Sequence, residues 1–177
     1  YFKNINVNVA PAFRFSFLKK FIKQYKNHSI LLLLPVGYRK SENLIFNTIQ
    51  ILKKINRKIH LKIKPHPIFK INKMNYELTE NITYEFVEGN LIDNLNNVSV
   101  VLGNTSSSMV EALVNFTPVI IIPNSNGVTQ NPIPKNFDKR LWKLSYNKND
   151  TVKYINEFID LNIKKYHLIK DISLKEK

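Results

Sequence analysis

Apolar residues in this chain fall into short runs that stop at glycine or proline, and between the runs they recur every three or four positions. Ile30 to Val36 is a continuous apolar run closed by Gly37, the pattern of a strand buried on both faces. Ser41 and Glu42 are expected to cap and open a helix that places Ile45, Ile49, Leu52 and Ile55 on one face. Ile59 to Lys64 alternates apolar and basic residues as a second strand, stopped by Pro65 and Pro67. Residues 69–80 read as a loop or a short helix. Ile82 to Val87 is a third strand, and Leu91 to Asn97 a turn or short helix. Val98 to Leu102 is a fourth strand ending at Gly103, Ser106 to Phe116 a helix, and Pro118 to Ile122 a fifth strand. A loop rich in Pro and Asn covers 123–140. A last amphipathic helix is expected from Asp150 to about Tyr166 through Val152, Ile155, Ile159 and Ile163. Upstream, Phe17, Leu18, Phe21, Ile22 and Tyr25 share one helical face, with lysines between them.

Strands alternating with helices across short connections predict an α/β domain. The expected fold is a Rossmann-like parallel sheet of about five to six strands with helices on both faces. Its units are an interdomain linker or helix over 1–29, the Rossmann-like core over 30–145, and a C-terminal amphipathic helix over 146–177 packing on or across it. The chain lacks Met at position 1 and begins in a linker-like stretch, so a further N-terminal domain is expected. All four glycines follow predicted strand ends, which in an open parallel sheet are where ligands bind.

Composition narrows the chemistry. With no cysteine, disulfides and thiolate catalysis are excluded, which suits a cytoplasmic protein. The formal charge of +14 fits attraction to polyanions or genome bias toward Lys, Asn and Ile. The basic residues are 23 Lys against 4 Arg, scattered along the chain, and bidentate phosphate or guanine readout favours Arg. Nucleic acid is therefore not an expected partner, whereas attraction to an anionic membrane surface stays open. No apolar run approaches the length needed to span a bilayer. No paired acidic motif or His cluster announces a metal; Asp93 and Asp138 are isolated, and His28, His60 and His167 are scattered.

Three stretches converge on the predicted rim. Gly37, after the first strand, permits a tight turn and close ligand approach, although an ordinary strand-to-helix turn is the favoured account of it. In Lys64-Pro65-His66-Pro67 the two rings restrict the backbone around His66. Held there, the imidazole can donate to a phosphate oxygen and offset charge on a departing nucleotide, with Lys64 adding a point charge. A rigid turn with an incidental His is the alternative. Thr105, Ser106, Ser107 and Ser108 open a helix, where hydroxyls and free amides suit an anion. One cap accounts for one hydroxyl and leaves three. Glu111 follows, able to reach a ribose hydroxyl or to favour the helix dipole.

The order Lys64-Pro-His-Pro67, Tyr84-Glu-Phe-Val-Glu88, Leu91-Ile-Asp-Asn-Leu, Thr105-Ser-Ser-Ser-Met-Val-Glu111 and Thr117-Pro-Val-Ile120 resembles the C-terminal donor-binding domain of GT-B glycosyltransferases. It is most similar to the bacterial sialyl-, polysialyl- and Kdo-transferases with His-Pro and Ser-Ser motifs, and it is similar to the CDP-glycerol polymerases. The resemblance covers roughly residues 30–125. It implies that the core binds a nucleotide sugar, that His66 assists departure of the nucleotide, and that Pro67 belongs to the same motif. It further implies that Ser106, Ser107 and Ser108 hold phosphate, and that Glu85 or Glu88 reads the nucleoside. The implied substrates are a CMP- or CDP-linked sugar and a glycan acceptor in surface polysaccharide synthesis, without metal or other cofactor. The catalytic base is implied to lie in the N-terminal domain, and the protein in the cytoplasm or at the inner face of the cell membrane. Two other classes remain alongside it: a sugar-nucleotide epimerase or mutase, and a non-catalytic assembly or membrane-docking module.

Overall fold

The computed structural model describes residues 28–69, 71, 76–124, 131–135 and 137–161. Along the chain run β1 (Ser29–Leu33), α1 (Tyr38–Leu52), β2 (Ile59–Lys64), β3 (Ile82–Phe86) and α2 (Leu91–Asn94). They are followed by β4 (Val98–Gly103), α3 (Ser108–Val114), β5 (Val119–Ile121), β6 (Trp142–Leu144) and α4 (Lys148–Ile159). The six strands form one sheet in the order β3-β2-β1-β4-β5-β6, and every pairing is parallel. This is the α/β Rossmann-like arrangement that the alternation of elements predicts.

Burial follows position in the sheet. Every residue of the central strands β1 and β4 is buried, Ser29 and Ser99 included. Toward the edge, β2 buries only alternate residues. Ile30, Leu32, Ile59, Leu61 and Ile63 face the layer formed by α1 and α4, through Leu44, Ile45, Ile49, Leu52, Ile155 and Phe158. Leu31, Leu33, Val98, Val101, Val119 and Ile121 face α2 and α3, through Leu91, Leu95, Met109, Ala112 and Leu113. Each fully buried Leu or Ile contributes about 1.5–3 kcal/mol relative to exposure. Lateral ties hold the first layer together: Arg57 donates to both carboxylate oxygens of Asp160 at 2.5 and 3.0 Å.

Several boundaries depart from the sequence reading. β1 ends at Leu33; the amide of Leu34 still bonds the carbonyl of Lys64 at 3.0 Å, and Pro35, with no N–H, stops the ladder. Ser41 does not cap α1. The cap position is Gly37, and Ser41 lies buried inside the helix with its hydroxyl donating to Pro35 O at 2.9 Å. α3 begins at Ser108 rather than Ser106. β6 has no counterpart among the expected strands; at three residues, half-buried throughout, it carries almost no periodic signal. α4 starts at Lys148, capped by Asn147, whose side chain accepts from the Asp150 amide at 2.9 Å. The described part of 69–80 is not helical. The expected helix around Phe17 to Tyr25, Gly127, and the extension past residue 161 lie outside the described residues.

Candidate functional site

Because all six strands are parallel, their carboxyl ends share one edge, and the loops after β1, β2, β3 and β4 carry Gly37, His66 with Pro67, Glu88, and Thr105 to Ser107. The chain order reverses between β1 and β4, which makes the crevice there the topological switch point. β2 and β4 flank β1, so the loop bearing His66 and the loop bearing Ser106 start about 10 Å apart, two strand spacings.

Gly37 takes φ +108°, a conformation that side-chain-bearing residues rarely adopt, and a Cβ there would meet nothing within 4 Å. The turn at this rim therefore needs glycine for its backbone, not for lack of room. On the neighbouring strand, His66 is half-buried, its carbonyl accepts from Phe69 N at 2.9 Å, and its Nδ1 accepts from Ile68 N at 3.3 Å. With Nδ1 accepting, the neutral imidazole carries its proton on Nε2. Pro67 is exposed beside it. Lys64 is already engaged: its Nζ donates to the carbonyl of Gly89, joining the ends of β2 and β3. Burial pushes its ammonium pKa down, and the carboxylate of Glu88 acts in the opposite sense.

The hydroxyl-rich loop is built around Asn104, which is buried. Its Oδ1 accepts from Thr105 N at 2.8 Å, and its Nδ2 donates to Asn124 Oδ1 at 2.7 Å, tying the end of β4 to the end of β5. Ser106 Oγ accepts from Ser108 N at 3.3 Å, so this hydroxyl supports the first turn of α3. Ser107 occupies the cap position without a side-chain capping bond. Thr105 and Ser107 are exposed and Ser106 and Ser108 half-buried, so the four hydroxyls stand at the surface of the same edge. Glu111 sits in the first turn of α3, half-buried and engaged within the protein.

The two glutamates on and after β3 part company. Glu85 lies within the strand, with Oε1 3.2 Å from Nε2 of His60, whose Nδ1 is 2.9 Å from Thr83 Oγ1. It lines a groove of about 650 Å³ shared with His28, Lys58, Lys62 and Glu80, away from the hydroxyl loop. Glu88, exposed and past the strand's end, stands on the rim beside Lys64. His60 is thus a half-buried strand residue whose ring contacts both Glu85 and Thr83. The feature that sequence reading missed is Asn104: a lone Asn before a Ser/Thr run gives no periodic signal, although its place directly after a buried strand marks a loop that needs a side-chain tie. Among the described residues, no group of three His, Asp or Glu is placed to hold a metal ion, and no helix is long and apolar enough to cross a membrane.

No protein-family model and no curated protein matches the sequence. Solved structures do resemble it. The glycotransferase of kitacinnamycin superposes with a TM-score of 0.53 at 11% identity, over 80% of this chain and 37% of that chain. The glycosyltransferase SnogD from Streptomyces nogalater gives 0.46 at 12% identity, over 91% of this chain and 45% of that one. The chain therefore spans less than half the length of each. At 11% identity, the first likeness is one of fold.

Proposed function

We propose that this chain is the donor-binding lobe of a glycosyltransferase, gripping the phosphate of a nucleotide-linked sugar between His66 and the Ser106–Ser108 loop. The observation that carries the reading is the placement of both on one edge, either side of the β1/β4 crevice. The fold likeness to the glycotransferase of kitacinnamycin adds support from an independent direction.

In this reading the neutral imidazole donates from Nε2 to an oxygen of the donor phosphate. As the bond between sugar carbon and phosphate oxygen breaks, that oxygen keeps the electron pair, and the hydrogen bond strengthens as its charge grows. Hydroxyls of Ser107 and Ser108 donate to the remaining phosphate oxygens, while Ser106 and Asn104 hold the loop. α3 has only seven residues, so the grip rests mainly on these side chains and their neighbouring amides. Lys64 positions the β2 and β3 ends through Gly89 and adds long-range positive potential. Glu88, not Glu85, is assigned to the nucleoside because only Glu88 reaches the rim. The donor is taken as CMP- or CDP-linked and the acceptor as a glycan of the cell surface, with no metal required. The proton of the acceptor hydroxyl goes to a base on a second domain. Three large apolar residues exposed at this edge, Val36, Ile68 and Tyr146, give that domain a surface to meet.

Isothermal calorimetry with CMP, CDP and UDP tests the reading. Saturable binding of CMP or CDP, weakened about ten- to hundredfold by combined Ser107→Ala and Ser108→Ala substitution, is expected. Absence of binding by all three nucleotides overturns it.

A further inference from the structure

The outer surface of the α1 and α4 layer has an asymmetry that the donor site does not use. Every carboxylate on these helices is tied within the protein. Glu42 accepts from Tyr38, Asp150 from the α4 amino end, Glu157 pairs with Lys143 at 3.6 Å, and Asp160 with Arg57. The cations are not so matched. Arg39, Lys40, Lys53, Lys54, Lys148 and Lys153 lie on or at the ends of the two helices, five exposed and Lys53 half-buried. Among the described residues none has a carboxylate partner; Lys54 reaches only the neutral Asn149 at 3.3 Å. Phe46, on the outward side of α1, is 57% exposed.

We infer that this helical layer docks on an anionic lipid surface. Six unmatched cations across two adjacent helices give a positive field over one face, and phosphate headgroups supply its complement. Lysine suits this better than a nucleic acid, since long aliphatic stems lie along an apolar boundary while the ammonium stays wet. Phe46 supplies an apolar group to enter the headgroup region, as on an interfacial amphipathic helix. Arg39, Lys40 and Lys148 stand where α1 and α4 begin, beside the carboxyl edge, whereas Lys53, Lys54, Lys153 and Phe46 lie farther along the helices, so the lipid contact is centred away from the donor crevice. The inference is independent of the donor assignment.

The test is co-sedimentation of the intact chain with phosphatidylglycerol/phosphatidylcholine vesicles and with phosphatidylcholine alone. Binding is expected only with the anionic vesicles, weakening steeply as salt rises from about 50 to about 500 mM. The pair Lys53→Glu and Lys153→Glu is compared with Lys135→Glu and Lys139→Glu. The second pair makes the same change in net charge from an exposed loop whose Ile133 and Leu141 pack on the opposite sheet face. The first pair should weaken binding about thirtyfold or more, from the gain each lysine makes at an anionic surface, and the second only slightly. Phe46→Ser should cost about fivefold with an unchanged salt slope. Circular dichroism melts confirm that each variant folds. Equal losses from the two lysine pairs, equal binding to neutral vesicles, or preference for an RNA duplex over the vesicles overturns the inference.

Discussion

The backbone amide of Ile68 donates to Nδ1 of His66 at 3.3 Å, and that single contact leaves Nε2 as the ring's donor. A glutamine at 66 can place its amide near the Nε2 position, whereas asparagine matches only Nδ1. His66→Ala and His66→Asn should each lower transfer about a hundredfold, with His66→Gln in between. Initial rates of nucleotide release by the full-length enzyme check this. Equal rates in all variants would remove His66 from the reaction.

The serine run should split by role. Ser106→Ala removes the acceptor for the Ser108 amide and should lower stability by about 0.5–1.5 kcal/mol. Ser107→Ala and Ser108→Ala should leave the melting temperature nearly unchanged and weaken nucleotide binding by about three- to tenfold each. Differential scanning calorimetry and nucleotide titration together read both effects.

Two glycines should respond differently to alanine. At Gly37 the backbone sits at φ +108° with open space around it, so Gly37→Ala should cost about 1–3 kcal/mol from strain alone. At Gly103 the new methyl would come within 3.3 Å of Met109 Sδ and 3.5 Å of Leu33 Cβ. There the contact should show as coupling: Met109→Ala, costly alone because Met109 is fully buried, should cost less in the Gly103→Ala background. Gly37→Ala should show no such coupling. Urea unfolding of the single and double variants gives the comparison.

Acid should act first through Asp160 and Asp138. Hydrogen bonds from Arg57 and Arg140 hold both carboxyl pKa values below the usual carboxylate range. A carboxylate depressed in the folded state stabilises fully above its unfolded pKa, and that stability fades as pH falls through the folded value. Melting temperature should therefore be flat at neutral pH and fall below about pH 4. Asp160→Asn should lower the neutral plateau and flatten the acid limb. An unaltered pH profile would show that the Arg57 pair contributes nothing.

The central sheet was legible because β1 and β4 are buried on both faces, so each had to be written as an uninterrupted apolar run between polar turns. The helices were legible from their periodic apolar faces, but their starts were not. Gly37 and Asn147 set those starts through backbone conformation and a local side-chain bond, neither of which leaves a periodic trace. At the rim, residue types and their order could be read along the chain. Glu85 and Glu88 could not be separated that way, because the pairing of His60 with Thr83 and of Lys62 with Glu85 is what sets Glu85 beside the His60 ring. Nor does anything local show that Lys64 is occupied by Gly89, a contact made 25 positions away.

The sheet is held unevenly. Its central strands are locked from above and below, while β3 has one neighbour, and its residues 83 and 85 face water. Local opening should therefore begin there, with the amides of β3 exchanging with solvent well before those of β1 and β4. Glu88 and the Lys64–Gly89 tie ride on the end of that edge strand. A nucleotide held there would slow exchange at an edge of the sheet, where protection is otherwise low.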